Sequence, residues 1–226
     1  MLLLAADTSG KHGSIALAQC GPEGECTILE VMPLTGGTFS AQLVPQITAL
    51  LQKYRFGKGD IDAFAVASGP GSFTGLRVGL AAIKALAEVL GKPIAAVSLL
   101  QAVAAAAQVN GRVLAALDAG RGEIYVGECE GRCDDKTPMT LSERLLTKQE
   151  FLGAAMGAMV VTPDKSVGDL STAAGLRVQE IERPRSDAIA RIGWRKIQLG
   201  ETTSAEALDA NYIRRSDAEI FAKASP

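Results

Sequence analysis

The chain has 226 residues, of which 47% are hydrophobic, 4% aromatic and 21% charged, with a formal net charge of −2. This supplies a core for one large domain or two domains of roughly 100–150 residues, and the small charge argues against a dedicated nucleic-acid binder with a broad basic face. The opening MLLLAADTSG is short and lacks the basic start of a signal peptide. No apolar run approaches the ~18 residues of a membrane span, so the protein is expected in the cytoplasm with no membrane partner.

Residues 2–20 (LLLAADTSGKHGSIALAQC) read as an apolar strand, a glycine-containing turn and an alternating second strand, which is a hairpin signal. A strand-like stretch follows at 26–32. Residues 41–54 place Leu43, Ile47, Leu50 and Leu51 on one helical stripe, expected to face a sheet. Residues 61–68 (IDAFAVAS) form an apolar run of strand length. Residues 74–90 predict a helix, with Leu80, Ile83, Leu86, Ala87 and Leu90 on one face. An alanine-rich helix at 99–108 joins this half to a second hairpin at 113–129 (VLAALDAGRGEIYVGEC). A helix at 148–156, a strand at 158–163 and a helix at 187–199 complete the chain.

The order repeats. Each half reads hairpin, strand, helix, strand, helix, with the 74–90 helix matched to the 187–199 helix. Asp7 and Asp118 hold the same place, at the end of each hairpin's first strand. Two such copies suggest a duplicated mixed α/β domain, the layout of the actin-like ATPase (ribonuclease H-like) superfamily, with two mixed-sheet subdomains. In that superfamily the two hairpins face each other across a nucleotide cleft, which makes Asp7, Thr8, Ser9 and Asp118 candidates for a vestigial nucleotide site. The alternative is that both aspartates form turns by bonding their own backbone.

Between strand and helix lies GPGSFTGLRVG, residues 69–79. It has no Gly-Lys-Ser/Thr and so is not a P-loop. Gly75 and Gly79 are four apart and share one helical face. A glycine costs about 1 kcal/mol against alanine inside a helix, so the pair needs a return. Three readings stand: packing within the domain, a close helix–helix contact with a partner, or an anion site at the helix start.

Four cysteines, Cys20, Cys26, Cys129 and Cys133, lack paired CxxC spacing, and each pair flanks a glycine-containing turn, so reduced thiols and no metal site are expected, with a cross-turn disulfide as the alternative. The single histidine, His12, rules out HExxH-type hydrolysis by this chain. Arg183, Arg185, Arg191, Arg195, Lys196, Arg214 and Arg215 make the C-terminal part basic. Glu180, Glu182, Asp187 and Glu201 interleave with them, which suits a solvated face better than a tRNA contact.

LAADTS with GSIAL, GPGSFTGLRVG, the helix with Lys84 and Leu86-Ala87, Pro93 with Val97-Ser98-Leu99, LDAGRGEIY and NYIRR occur in this order across nearly the whole chain. In them the sequence resembles the bacterial TsaB (YeaZ) family, accessory proteins of tRNA threonylcarbamoyladenosine biosynthesis. The resemblance implies the duplicated actin-like fold, with subdomains at 1–105 and 106–226 and a C-terminal segment returning to the first. It implies a non-catalytic subunit that pairs with the transferase TsaD, is joined by the ATPase TsaE, and meets tRNA through the complex. Self-association as a homodimer is expected in isolation. No cofactor is expected to be tightly bound, with ATP or ADP held only in the complex. The pairing surface expected on this basis comprises Gly69, Pro70, Gly71, Ser72, Phe73, Thr74, Gly75, Arg77, Gly79 and Ala82. The chain departs from the family at Phe39-Ser40-Ala41, where His-Ser-Glu is usual, at Gly120, an extra residue before Arg121, and at Asn211, where proline is usual. The competing function is a small actin-like kinase using Asp7 and Asp118. A metallopeptidase lacks a ligand set.

Overall fold

The structure, a computed structural model, describes residues 1–35, 38–107, 109–130, 132–133, 142–211 and 213. β1 (Leu2–Asp7) and β2 (Gly13–Cys20) form the first hairpin, and β3 (Cys26–Leu34) pairs antiparallel with β2. α1 (Phe39–Lys53) leads to β4 (Ala63–Gly69), α2 (Phe73–Leu90) and β5 (Ile94–Ser98), with β4 parallel to β1 and to β5. The sheet is five-stranded, in the order β3-β2-β1-β4-β5. β1 and β4 are buried along their whole length because helices cover both faces, and they read as unbroken apolar runs for that reason.

α3 (Leu99–Ala106) crosses to the second half. There β7 (Val113–Gly120) and β8 (Glu123–Cys129) form the second hairpin, after β6 (Val109–Asn110) and before β9 (Arg132–Cys133), which pair with each other. β10 (Ser142–Thr147), α4 (Lys148–Ala154), β11 (Met159–Thr162), α5 (Lys165–Ala173), β12 (Arg177–Glu180) and α6 (Ser186–Gln198) follow. The second sheet, β10-β8-β7-β11-β12, repeats the first strand for strand and direction for direction.

The repeat therefore exists, but its helices correspond differently from the sequence reading. The counterpart of α2 is α5, and that of α6 is α3. Periodicity missed α5 because KSVGDLSTA is short and rich in weak helix formers, and buries only Val167, Gly168 and Ser171.

Three apolar clusters follow from this layering. α1 and α2 cover the outer face of the first sheet, where Leu43, Ile47 and Leu50 meet Leu4, Phe64 and Val66. α4 and α5 do the same on the second, around Phe151 and Val160. Between the sheets lie α3 and α6. α3 packs on β7 and β8, while α6 packs on β1, β2, β4 and β5 of the first sheet. The inner face of that sheet presents Ala5, Ala16, Ala18, Ala63, Ala65 and Ala67. A Cβ added at Gly193 of α6 would stand 2.4 Å from the Ala65 Cβ. The low aromatic content thus becomes a close approach of helix to sheet. After α6 the chain stays with the first half: Thr203 N–H donates to Ile94 O at 2.8 Å, and Asn211 N–H to Ser68 O at 2.8 Å. Among the described residues, no helix is long and apolar enough to cross a membrane.

Candidate functional site

The glycine-rich segment seats the first hairpin turn. A Cβ at Gly71 would lie 2.5 Å from Ser9 O, at Gly75 2.1 Å from Thr8 O, and at Gly79 2.3 Å from Thr8 Oγ1. Ser72 N–H donates to Ser9 O at 2.6 Å, and Thr8 Oγ1 donates to Gly75 O at 2.7 Å. Ser72 also caps α2, its Oγ accepting from Gly75 N–H at 3.3 Å. Gly75 and Gly79, expected on a partner-facing surface, are instead buried inside the domain. Thr8 occupies the space that their missing side chains leave. Gly69 and Pro70 are buried too, whereas Gly71, Ser72, Phe73, Thr74 and Arg77 are exposed and Ala82 is half-buried. The Arg77 guanidinium stacks 3.8 Å from the centre of the Phe73 ring.

A cleft of about 1040 Å³ opens between the two hairpin turns, walled by Ser9 to His12, the start of α2, Leu117 to Arg121, Tyr125, Asp164 and Arg183, with Asn211 and Ile213. Of the residues proposed for a nucleotide site, it brings together Ser9 and Asp118; Asp7 and Thr8 are not among its walls. Asp7 is 5% exposed. Its Oδ1 accepts from Ser9 N–H at 2.9 Å and from Ser9 Oγ–H at 2.6 Å. Asp118 is exposed, and its Oδ1 accepts from Gly120 N–H at 2.7 Å while Oδ2 accepts from Ser166 Oγ–H at 2.8 Å. Both aspartates therefore bond the N–H two residues on, the turn-forming reading.

Their electrostatics diverge. Burial pushes the Asp7 carboxyl up, opposed by the Ser9 hydrogen bonds and by the charge of Arg183. The Asp118 carboxyl is held down by the Gly120 N–H and the Ser166 hydroxyl, with Lys148 adding to the effect.

Sequence reading missed Asp164. It precedes α5 as Ser72 precedes α2, at the same point of the repeat. Instead of capping its helix, its Oδ2 accepts from Asp118 N–H at 2.8 Å and its Oδ1 pairs with Arg183 at 2.5 Å. An Asp after a strand and before a weak helical stretch was the available signal. Among the described residues, no cluster of three His, Cys, Asp or Glu side chains could hold a metal ion.

A second surface lies on the outside of the first half. α1 and α2 pack against each other. Their outward sides carry Val44 at 50% exposure, Phe73 at 42% and Val89 at 79%, with Pro45, Thr48, Ala81 and Ala85 also exposed. At the departure Phe39-Ser40-Ala41, the ring of Phe39 is buried against the Gly13 backbone, and Ser40 and Ala41 are exposed on the first turn of α1. Several basic side chains of the C-terminal part meet groups within the chain: Arg185 lies 4.0 Å from Asp187, Lys196 lies 3.3 Å from Glu201, and Arg191 donates to Cys26 O at 3.1 Å. Arg214 and Arg215 lie outside the described residues.

Two copies of a β-β-β-α-β-α-β-α unit, with a cleft between their hairpin turns, define the duplicated actin-like, ribonuclease H-like class of α/β proteins. A family model described as TsaD, tRNA N6-adenosine threonylcarbamoyltransferase, matches residues 33–159. The chain is 29% identical to the tRNA threonylcarbamoyladenosine biosynthesis protein TsaB of Bacillus subtilis (strain 168), over 97% of this chain and 96% of that one. It is 28% identical to the protein of the same name from Escherichia coli (strain K12), over 96% of each. The solved structure of YeaZ from Pseudomonas aeruginosa superposes with a TM-score of 0.74 at 25% identity, covering 93% of this chain and 99% of that one. The chain belongs to the TsaB (YeaZ) family.

Proposed function

We propose that this chain serves the biosynthesis of threonylcarbamoyladenosine on tRNA as a non-catalytic subunit that pairs with a TsaD-type transferase. The observation that carries the reading is the likeness, over nearly the full length, to proteins named for that pathway. The geometry supports a scaffold role. Phosphoryl chemistry in such a cleft needs a metal held by carboxylates, and here the Asp7 oxygen that faces the turn already accepts both Ser9 hydrogens. The exposed apolar side chains of α1 and α2 offer the pairing surface, where the two helices would meet a like pair on the partner as a four-helix bundle. In isolation the same surface closes a homodimer. TsaE joins the complex, tRNA is met through the complex, ATP or ADP is held only there, and the protein works in the cytoplasm.

The test is tRNA modification reconstituted from tRNA, an activated threonylcarbamoyl donor, ATP and purified TsaD, TsaE and this chain, each protein omitted in turn. Product is expected only when both TsaD and this chain are present. Modification without TsaD would overturn the reading. The kinase alternative draws on the cleft that joins Ser9 to Asp118, and titration of the isolated chain with Mg-ATP separates the two: a kinase binds it, a scaffold need not.

A further inference from the structure

Cys20 ends β2 and Cys26 begins β3, and the two are directly opposed across the antiparallel pair. The turn between them is closed by Gly21 N–H donating to Glu25 O at 2.9 Å, while Cys20 N–H points the other way and donates to Met1 O at 2.9 Å. The opposed cysteines are therefore a non-hydrogen-bonded pair, the kind whose Cα atoms approach most closely, about 4.5 Å. That spacing lies within the range a disulfide accepts, roughly 4.4–6.8 Å between Cα atoms. The two side chains leave the sheet on the same face, and their sulfurs are in contact at 3.3 Å, with the Cys20 thiol donating to Cys26 Sγ. Cys20 is 5% exposed and Cys26 is half-buried, so Cys26 is the sulfur that a molecule in solution meets first. Cys129 is buried in the central layer, away from this hairpin turn.

We propose that Cys20 and Cys26 form a reversible dithiol–disulfide site, oxidised by a small-molecule disulfide. The Cys26 sulfur attacks one sulfur of the oxidant, forming a mixed disulfide and releasing one small thiol. Cys20 then attacks Cys26 Sγ, the protein disulfide forms, and the second small thiol leaves with the Cys20 proton. The protein loses two electrons and two protons, and the oxidant becomes two thiols. The contact with Cys26, followed by burial, pushes the Cys20 thiol up from its ordinary value. Glu23 and Glu25 lie in the turn between the cysteines, which favours an uncharged oxidant over an anionic one. The bond closes the turn on which α6 rests, where Arg191 donates to Cys26 O and Gln198 Nε2 donates to Pro22 O, both at 3.1 Å. Oxidation thus fastens the edge of the first sheet beneath the helix that the second half lends to it.

The experiment treats the folded chain with 2-hydroxyethyl disulfide, alkylates the remaining thiols under denaturing conditions, and cleaves after glutamate, which cuts between the two cysteines. The expected result is a loss of two alkylatable thiols together, fragments carrying Cys20 and Cys26 joined to each other, alkylation retained at Cys129, and full reversal by dithiothreitol. Cys20→Ser should hold the oxidant as a stable mixed disulfide on Cys26, and Cys26→Ser should leave Cys20 unmodified. A mixed disulfide that persists on Cys26 in the native chain overturns the proposal. So does a cross-link between chains, oxidation of Cys129 ahead of Cys26, or a joined product that melts below the reduced protein.

Discussion

Thr8 and Gly75, 67 residues apart, are joined by a hydrogen bond of 2.7 Å from the threonine hydroxyl to a helix carbonyl. The same Oγ1 stands 2.3 Å from where a Cβ at Gly79 would be. The first hairpin turn thus sits directly on the glycine face of α2. Motif and turn are two sides of one contact.

That contact reverses an ordinary expectation. Alanine usually improves on glycine inside a helix by about 1 kcal/mol. At Gly75 the new methyl meets a backbone oxygen that cannot move without the turn, so Gly75→Ala should destabilise by about 1–3 kcal/mol, and Gly79→Ala by a smaller amount because a side chain faces it. Gly153 of α4 has nothing within 4 Å of its Cβ position, so Gly153→Ala should be neutral or stabilising. Urea unfolding of the three variants checks the order. Equal effects at Gly75 and Gly153 would refute it.

The two hairpin aspartates should respond to pH with opposite signs. The Asp7 pKa is raised above its ordinary 3.8, chiefly by burial. The folded state therefore holds this proton more tightly than the unfolded one, and the stability it contributes in acid is lost as pH rises from 3.8 through the folded value. Asp7→Asn should gain on the native chain from acid to neutral pH. The Asp118 pKa lies below 3.8, so its contribution is present above that value and is lost as pH falls further. Asp118→Asn should lose its difference from the native chain only in strong acid. Thermal melts across this range read both. In a reconstituted complex, both variants should support tRNA modification wherever folding and pairing are intact.

Val89 and Val44 are exposed on the outward sides of α2 and α1. Val89→Glu or Val44→Glu should change stability by no more than about 0.5 kcal/mol. Each should weaken pairing with a TsaD-type partner at least tenfold, about 1.4 kcal/mol. Light scattering with the partner and a melt of the isolated chain give the two numbers. Unchanged pairing in both variants would move the interface off this face.

Gly193 brings α6 close to the first sheet, leaving no room for a side chain above Ala65. Gly193→Leu should lift the helix off Ala65 and Ala95 and cost several kcal/mol, more than the usual 1–3 of overpacking, because the strand beneath is buried on both faces. Amide exchange should then rise in β4 and α6 together. Exchange confined to α6 would mean that the sheet does not depend on it.

Local order is written in the chain's own periodicity. An apolar strand, a glycine-containing turn and an alternating second strand mark both hairpins, at 2–20 and 113–129, and the stripe of Leu43, Ile47, Leu50 and Leu51 marks α1 and the face it buries. A buried face leaves its period in the sequence whatever covers it, so the duplication and the fold class could be read from residues alone. What covers each face could not, because it depends on contacts far apart in the chain. α5 went unread because a short, polar helix gains its stability from packing rather than from its residues. α6 belongs by position to the second half but lies on the first sheet, and only the alanines beneath it make room. Asp7 and Asp118 look alike in sequence and make the same turn bond, yet one is buried and the other open. That difference comes from what packs around each hairpin, as does the purpose of Gly75 and Gly79, which was decided by a threonine on another strand.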